Sequence, residues 1–154
     1  MADFEVLRQT TVAAEPARVR ALIDDFRRWR SWSPWEDADP NLARTYTGPE
    51  SGVGAHYTWR GNRKAGAGSM EILTETDREI GIRLSFEKPF AAVNSVTFTI
   101  DPVPQGSRVS WRMTGTRGGL FGLVGRVLPM DRLIGKDFER GLARLKSVAE
   151  SPSA

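Results

Sequence analysis

The sequence has no cysteine and a single histidine, His56, among its 154 residues. Without thiols there is no disulfide, no thiolate nucleophile and no Cys-ligated metal. One imidazole is too little for a zinc site, and any Ser–His pair would have to use His56. In its strand His56 has the opposite parity to Tyr57 and Trp59, so it faces solvent if that pair faces the core. Long apolar runs are also missing; none approaches the ~18 residues that cross a bilayer. The start, Met1-Ala2-Asp3-Phe4-Glu5, lacks the basic and apolar regions of a signal peptide. The glycines form neither a phosphate-binding loop nor a dinucleotide fingerprint, and no EF-hand spacing occurs. The expectations are therefore a cytoplasmic protein with no integral membrane association, no metal and no cofactor. The formal net charge of +3 is small and spread out, apart from Arg18, Arg20, Arg27, Arg28 and Arg30. A nucleic-acid binder would carry a denser basic stripe on a recognisable module, so those arginines read as a solvated helix face and no nucleic acid is expected.

What is present is an ordinary globular composition, 40% hydrophobic and 27% charged. The length suits one domain over residues 1–150, with 151–154 a disordered tail. Phe4 to Val12 reads as a strand with Phe4, Val6 and Val12 on one parity. Pro16 then suits the first turn of a helix whose buried face is Val19, Leu22, Ile23 and Phe26. Phe26, Trp29, Trp32 and Trp35 follow at intervals of three, a row that a 3₁₀ turn would align and an α-helix would rotate. The spacing is read as a short second helix over Asp25–Arg30 and a turn over Ser31–Trp35, ended by Ser33-Pro34. From Leu42 onward short alternating segments and Gly/Pro turns predict an antiparallel meander. Ile80, Ile82, Leu84 and Phe86 alternate with polar residues, as do Val96, Phe98 and Ile100, then Val109, Trp111 and Met113. A sheet apolar on one face needs a cover.

The cover is predicted between Gly119 and Glu150. Leu120, Val124, Val127, Ile134, Phe138, Leu142 and Leu145 fall in one narrow arc of a helical wheel, and Arg132, Lys136, Arg140 and Arg144 fall outside it. Pro129 either kinks this helix or starts a new segment. Asp131 sits in the middle of the apolar arc, and two readings stand. If the helix runs through Pro129, Asp131 enters the interior, where desolvation favours a neutral carboxyl able to donate a hydrogen bond or move a proton. If a helix starts there, Asp131 is a first-turn acid facing unpaired N–H groups.

Strand, two short helices, about six further strands and a long C-terminal helix resemble the helix-grip fold. Ala14-Glu15-Pro16, Trp32-Ser33-Pro34-Trp35, Gly52-Val53-Gly54 and Trp59-Arg60-Gly61-Asn62 are similar to the START-like superfamily. So are Gly66-Ala67-Gly68-Ser69-Met70 and the run Gly135-Lys136-Asp137-Phe138-Glu139-Arg140-Gly141-Leu142, and together they resemble its polyketide cyclase/dehydrase and lipid-transport branch. The resemblance implies an α+β fold in which a curved antiparallel sheet of about seven strands wraps the C-terminal helix, with an apolar cavity between them. It also implies a partner that is a small hydrophobic molecule. It supplies no single catalytic motif to carry over.

The candidate cavity residues are apolar or aromatic side chains, with the amide Asn94 beside them. From the first half they are Trp32, Trp35, Tyr57, Trp59 and Met70; from the later strands Phe86, Phe90, Asn94, Phe98, Trp111 and Met113; from the C-terminal stretch Phe121, Met130, Ile134 and Phe138. Taken singly, each large apolar residue serves equally as core. Asn94 differs, because a buried amide must find a hydrogen-bond partner in protein or ligand. Arg8 shares parity with Phe4 and Val6 and either enters the cavity or pairs with an acid at its rim. Asp131 is the catalytic candidate. Three readings of function stand: a binder of a lipid- or polyketide-like molecule; a cyclase or dehydratase that orients its substrate with acid/base help; and an interaction module whose five Trp and seven Phe fill the core.

Overall fold

The computed structural model describes residues 4–36, 39–88, 91–115 and 130–151. Seven strands form one antiparallel sheet in the order β1-β7-β6-β5-β4-β3-β2. They are β1 (Phe4–Val12), β2 (Ala43–Thr47), β3 (His56–Arg60), β4 (Ala67–Glu75), β5 (Glu79–Lys88), β6 (Ala92–Val103) and β7 (Gly106–Gly115). Helix α1 (Pro16–Ile23) follows β1, and the long helix α2 (Met130–Glu150) ends the chain. This is the helix-grip architecture. The first strand lies beside the last: β1 pairs with β7 from Phe4↔Gly115 to Val12↔Ser107. Alternation decides what each strand buries. Ile80, Ile82 and Leu84 of β5, Val96, Phe98 and Ile100 of β6, and Val109, Trp111 and Met113 of β7 are all buried on one face.

Helix α2 lies across that face. Phe138, Leu142, Leu145 and Ala149 are buried at successive turns, each worth about 1.5–3 kcal/mol for the larger side chains. Leu120, Val124, Val127 and Pro129 lie outside the described residues, as do Phe90 and Phe121. The side chains of Met130 and Asp131 are likewise outside the description. Close approach of α2 depends on Gly141, where an added Cβ would sit 2.8 Å from Trp111 Cζ3 and 3.0 Å from Pro34 Cδ. The far end of α2 is tied down by polar contacts. Arg18 of α1 donates to the carbonyls of Val148, Ala149 and Ser151, supplying positive charge where the helix dipole is negative. Lys146 donates to the Thr11 carbonyl at 3.0 Å, and Glu150 accepts from the Ala13 N–H at 2.8 Å.

The short helix expected over Asp25–Arg30 is present as a 3₁₀ helix spanning Phe26–Ser31. The three-residue spacing of Phe26 and Trp29 is the reason: a 3₁₀ turn keeps both rings on the buried side. Asp25 caps it, accepting from the Arg27 N–H at 3.0 Å. The next two indoles then complete α1. Trp29 Nε1 donates to the Ile23 carbonyl at 2.7 Å and Trp32 Nε1 to the Leu22 carbonyl at 2.9 Å. These carbonyls end a helix and have no partner within it.

At the same end of α1, the Glu75 carboxyl of β4 lies beside Asp24. Burial, then the hydrogen bond and charge of Asp24, push its pKa from 4.5 up to about 7, against the opposing pull of Arg20. Arg20 Nε stands 3.8 Å from Glu75 Oε2, and its Nη1 is 3.3 Å from Asp77 Oδ1.

Two outcomes are expected. Phe138→Ala should lower stability by about 3–5 kcal/mol in chemical denaturation, whereas Leu7→Ala, at an exposed position, should change it by less than about 0.5 kcal/mol. For Glu75, between about 4.5 and 7 the folded protein retains a proton that the unfolded chain has released. Its contribution to stability is therefore present at low pH and lost as pH rises through about 7. Denaturation midpoints measured across that range should fall less steeply in Glu75→Gln than in the wild type.

Candidate functional site

A cavity of about 310 Å³ lies between the sheet and α2. The sheet supplies its floor: Tyr57 and Trp59 from β3, Met70 from β4, Leu84 and Phe86 from β5, Asn94 and Val96 from β6, Trp111 and Met113 from β7. The opposite wall comes from Trp29, Ser33, Trp35 and Glu36 and from Ile134 and Asp137 of α2, with Leu42, Lys64, Ala65 and Lys88 completing the lining. The concave side of the sheet makes this surface because strand alternation sends every second side chain inward. Trp59 lies flat enough to reach the lining because β4 has glycine beneath it. A Cβ at Gly68 would collide with the Trp59 indole and the Ser85 carbonyl, and the strand register shifts at the same point.

The rings are held in a continuous stack. Trp111 lies between Phe98 and Phe138, with centroid separations of 4.9 and 4.0 Å, and Trp35 meets it edge-on at 5.6 Å. Tyr57 stacks on Trp59 at 6.1 Å, and Phe86 meets Trp59 edge-on at 5.9 Å. Four of the five indole N–H groups have an oxygen partner: Trp29 and Trp32 at the end of α1, Trp59 at the Ala65 carbonyl (2.9 Å), and Trp35 at Asp137 Oδ2 (3.2 Å). Trp111 Nε1 is enclosed with no partner, a cost of about 1–3 kcal/mol that its stacking must outweigh.

One polar cluster is built into the wall. Glu36 Oε1 accepts from Arg44 Nε at 2.8 Å, and Glu36 Oε2 accepts from the Tyr57 hydroxyl at 2.9 Å. Arg44 Nη2 also donates to the Glu36 carbonyl at 2.9 Å. Both charged side chains are largely buried, at 10% exposure for Glu36 and 17% for Arg44. Burial and then the adjacent Glu36 carboxylate push the Tyr57 phenol far above its ordinary value. For Arg44 burial pulls downward, but the Glu36 hydrogen bond and charge outweigh it and the guanidinium is held more firmly protonated. Asn94 is the opposite case. Its amide nitrogen meets only the Met113 sulfur, a weak acceptor, at 3.9 Å, and its oxygen sits over Gly115, where a Cβ would displace it.

Of the residues read from the sequence as cavity candidates, Trp35, Tyr57, Trp59, Met70, Phe86, Asn94, Trp111, Met113 and Ile134 line this space. Trp32, Phe98 and Phe138 do not; they are fully buried in the packed core, because each stands within the ring stack instead of at its margin. Arg8 does not enter: its Nε pairs with Glu139 Oε2 of α2 at 2.9 Å, and it packs beneath Gly135. His56, half-buried, has opposite parity to Tyr57 and is not part of the lining. Sequence reasoning missed Glu36, Asp137, Lys64 and Lys88. Asp137 stands one helical turn from Ile134 and was recoverable from that spacing. Glu36 directly follows the tryptophan row, but its partner Arg44 is brought to it only by folding. The lysines gave no signal at all. Among the described residues there is no cluster of three or more His, Asp or Glu able to hold a metal ion, and no helix long and apolar enough to cross a membrane.

Over residues 3–150 the chain matches the family described as polyketide cyclase / dehydrase and lipid transport, and it belongs to that family, within the START-like superfamily. Among solved structures it is similar to protein CV1439 from Chromobacterium violaceum, at 15% identity over 96% of this chain and 98% of that one, with a TM-score of 0.68. It is similar to jhp0584 from Helicobacter pylori at 9% identity over 96% and 89% of the two chains, with a TM-score of 0.71. DynU16, a protein in the dynemicin biosynthetic locus, gives a TM-score of 0.65 at 16% identity, covering 97% of this chain and 48% of that one. At these identities the likeness concerns the fold. No curated protein matches the sequence.

Removing Arg44 would leave the Glu36 carboxylate buried beside Tyr57 without its cation. Arg44→Ala should therefore destabilise the protein by about 2–4 kcal/mol, and adding Glu36→Gln should recover part of that loss. A double-mutant cycle in denaturant reads both effects.

Proposed function

We propose that the protein binds a small hydrophobic ligand, lipid- or polyketide-like, in the cavity between the sheet and α2. The observation that carries this reading is an aromatic-walled space of about 310 Å³ whose floor holds a buried amide, Asn94, with only a thioether for a partner. A ligand oxygen or N–H beside Asn94 would satisfy a group that the protein leaves almost unbonded. The volume lies at the lower end of the ~300–1,000 Å³ typical of small-molecule sites. It equals the share of roughly ten water molecules, which argues against an interaction module with a filled core.

A cyclase or dehydratase reading draws support from the family and from the Glu36–Tyr57–Arg44 cluster. The chemistry of that cluster favours orientation over proton transfer. Both Glu36 oxygens already accept hydrogen bonds, and the Tyr57 hydroxyl, its pKa raised by burial and by Glu36, is committed to Glu36. Asp131 remains the proposed acid for this second reading. If Asp131→Asn leaves both ligand binding and product formation unchanged, its catalytic role is lost.

The binding reading is tested with the neutral fluorophore N-phenyl-1-naphthylamine. Saturable binding is expected, weakened at least about tenfold by Leu84→Trp, which fills the floor of the cavity at a cost to the fold of about 1–3 kcal/mol. Undiminished binding in a folded Leu84→Trp protein places the ligand elsewhere and defeats the proposal.

A further inference from the structure

We infer that the cavity selects an amphiphile with an anionic end, whose carboxylate or phosphate sits between Lys64 and Lys88 while its apolar body lies against Trp59, Phe86 and Leu84. The inference rests on the binding reading above and adds the polarity of the ligand to it.

Among the described residues, four charged side chains line the cavity: Glu36, Asp137, Lys64 and Lys88. The two acids are each provided for. Glu36 is paired with Arg44 at 2.8 Å and accepts from Tyr57. Asp137 is paired with Arg140 at 2.6 Å and accepts from Trp35. The two lysines have no such partner; neither ammonium forms an ion pair or hydrogen bond among the described residues. The nearest acid along the chain, Glu87, faces Arg60 at 3.4 Å instead. Among the described residues of the lining, the charge left unpaired is therefore positive.

The topology brings the two lysines to one end of the site. Lys88 is the last residue of β5 and pairs in register with Ala67, the first residue of β4. Lys64 lies three residues before Ala67, in the turn between β3 and β4. That turn is closed by the Gly61 N–H to the Gly66 carbonyl at 2.9 Å and the Gly66 N–H to the Asn62 carbonyl at 2.8 Å. Asn62 Oδ1 also accepts from the Lys64 and Ala65 N–H groups at 3.0 and 2.9 Å. Ala65 then receives the Trp59 indole at 2.9 Å. The turn that carries Lys64 is thus bonded to the ring that forms the apolar floor. Both lysines are exposed and keep their charged ends in water, while the side chains next to them, Trp59 and Phe86, turn inward. An exposed cation beside an apolar slot is complementary to a chain or ring system that ends in an anion. The same chemistry is offered by a carboxylate and by a phosphate monoester.

The test is displacement of bound N-phenyl-1-naphthylamine from the full chain by decanol, decanoate and decyl phosphate at pH 7.5 and low salt. Decanoate and decyl phosphate are expected to displace the probe about tenfold more effectively than decanol, and that margin should shrink in 0.5 M salt. In the Lys64→Gln/Lys88→Gln variant the margin of the two anions over decanol, each read against that variant's own affinity for the probe, should fall to about one. A margin for decyl phosphate alone assigns the phosphate; equal margins assign anionic charge irrespective of its source. Equal displacement by all three competitors in the wild type overturns the inference and leaves the binding reading standing, as does a margin that survives the double substitution. Absence of saturable probe binding overturns both.

Discussion

The ring of Phe138 lies on that of Trp111 with centroids 4.0 Å apart and planes within 7°, and the rest of the architecture depends on this contact. A seven-stranded sheet with one apolar face is unstable in water until that face is covered. Helix α2 is the cover, and Phe138 on Trp111 is a ring-on-ring contact that joins cover to sheet. Gly141 permits the approach by presenting no Cβ to the indole edge. Phe98 backs Trp111 from within the sheet, so strand and helix are joined through three stacked rings. The unpartnered indole N–H of Trp111 is tolerated because the surrounding ring contacts, worth about 0.5–1.5 kcal/mol each beyond area burial, are several.

The cavity is what remains where this ring stack ends. Trp32 is drawn away from it by its bond to the Leu22 carbonyl, whereas Trp29, bonded to the Ile23 carbonyl, still lines its wall; the two indoles close one end of the grip. Beyond Trp111 the sheet offers Met113, Val96, Leu84 and Met70, which are narrower or more flexible than an indole and leave space beneath α2. The tryptophan row thus has a double consequence. It completes the short helix, and it confines the open volume to the side bounded by Trp59 and Phe86.

Much of this was legible in the sequence because strand alternation and helical periodicity are local. The parity of Ile80, Ile82 and Leu84, or of Val96, Phe98 and Ile100, predicts one buried face and the structure has it. The apolar arc of Phe138, Leu142 and Leu145 predicts the cover in the same way. Parity does not say how deep an inward side chain lies, and so Phe98 and Phe138 read as cavity residues although they are core. It is also silent on position along the strand, which is why Lys88, at a strand end, and Lys64, in a turn, carried no signal. The Glu36–Arg44 pair was out of reach for a different reason: its two residues flank the link from the 3₁₀ helix to β2, and only the completed sheet sets them against Tyr57. The 3₁₀ helix was readable from its three-residue spacing, which such a turn aligns and an α-helix would rotate.

The polar groups of the cavity differ in what they are free to do, and that difference bears on function. Glu36 has both oxygens engaged and Tyr57 has its hydroxyl committed to Glu36, so their charge and orientation are set before any ligand arrives. Asp137 is occupied by Arg140 and Trp35. Proton transfer needs a group whose pKa lies near the working pH and whose lone pair or proton is available; these three are locked instead. Among the described residues, Asn94 and the two lysines are the members with unused capacity. Fixed donors of this kind recognise and orient. A site made from them, with an aromatic floor to exclude water, gains its selectivity from shape and from the placement of a few permanent charges, and any chemistry performed in it would have to come chiefly from holding a reactive molecule in one folded conformation.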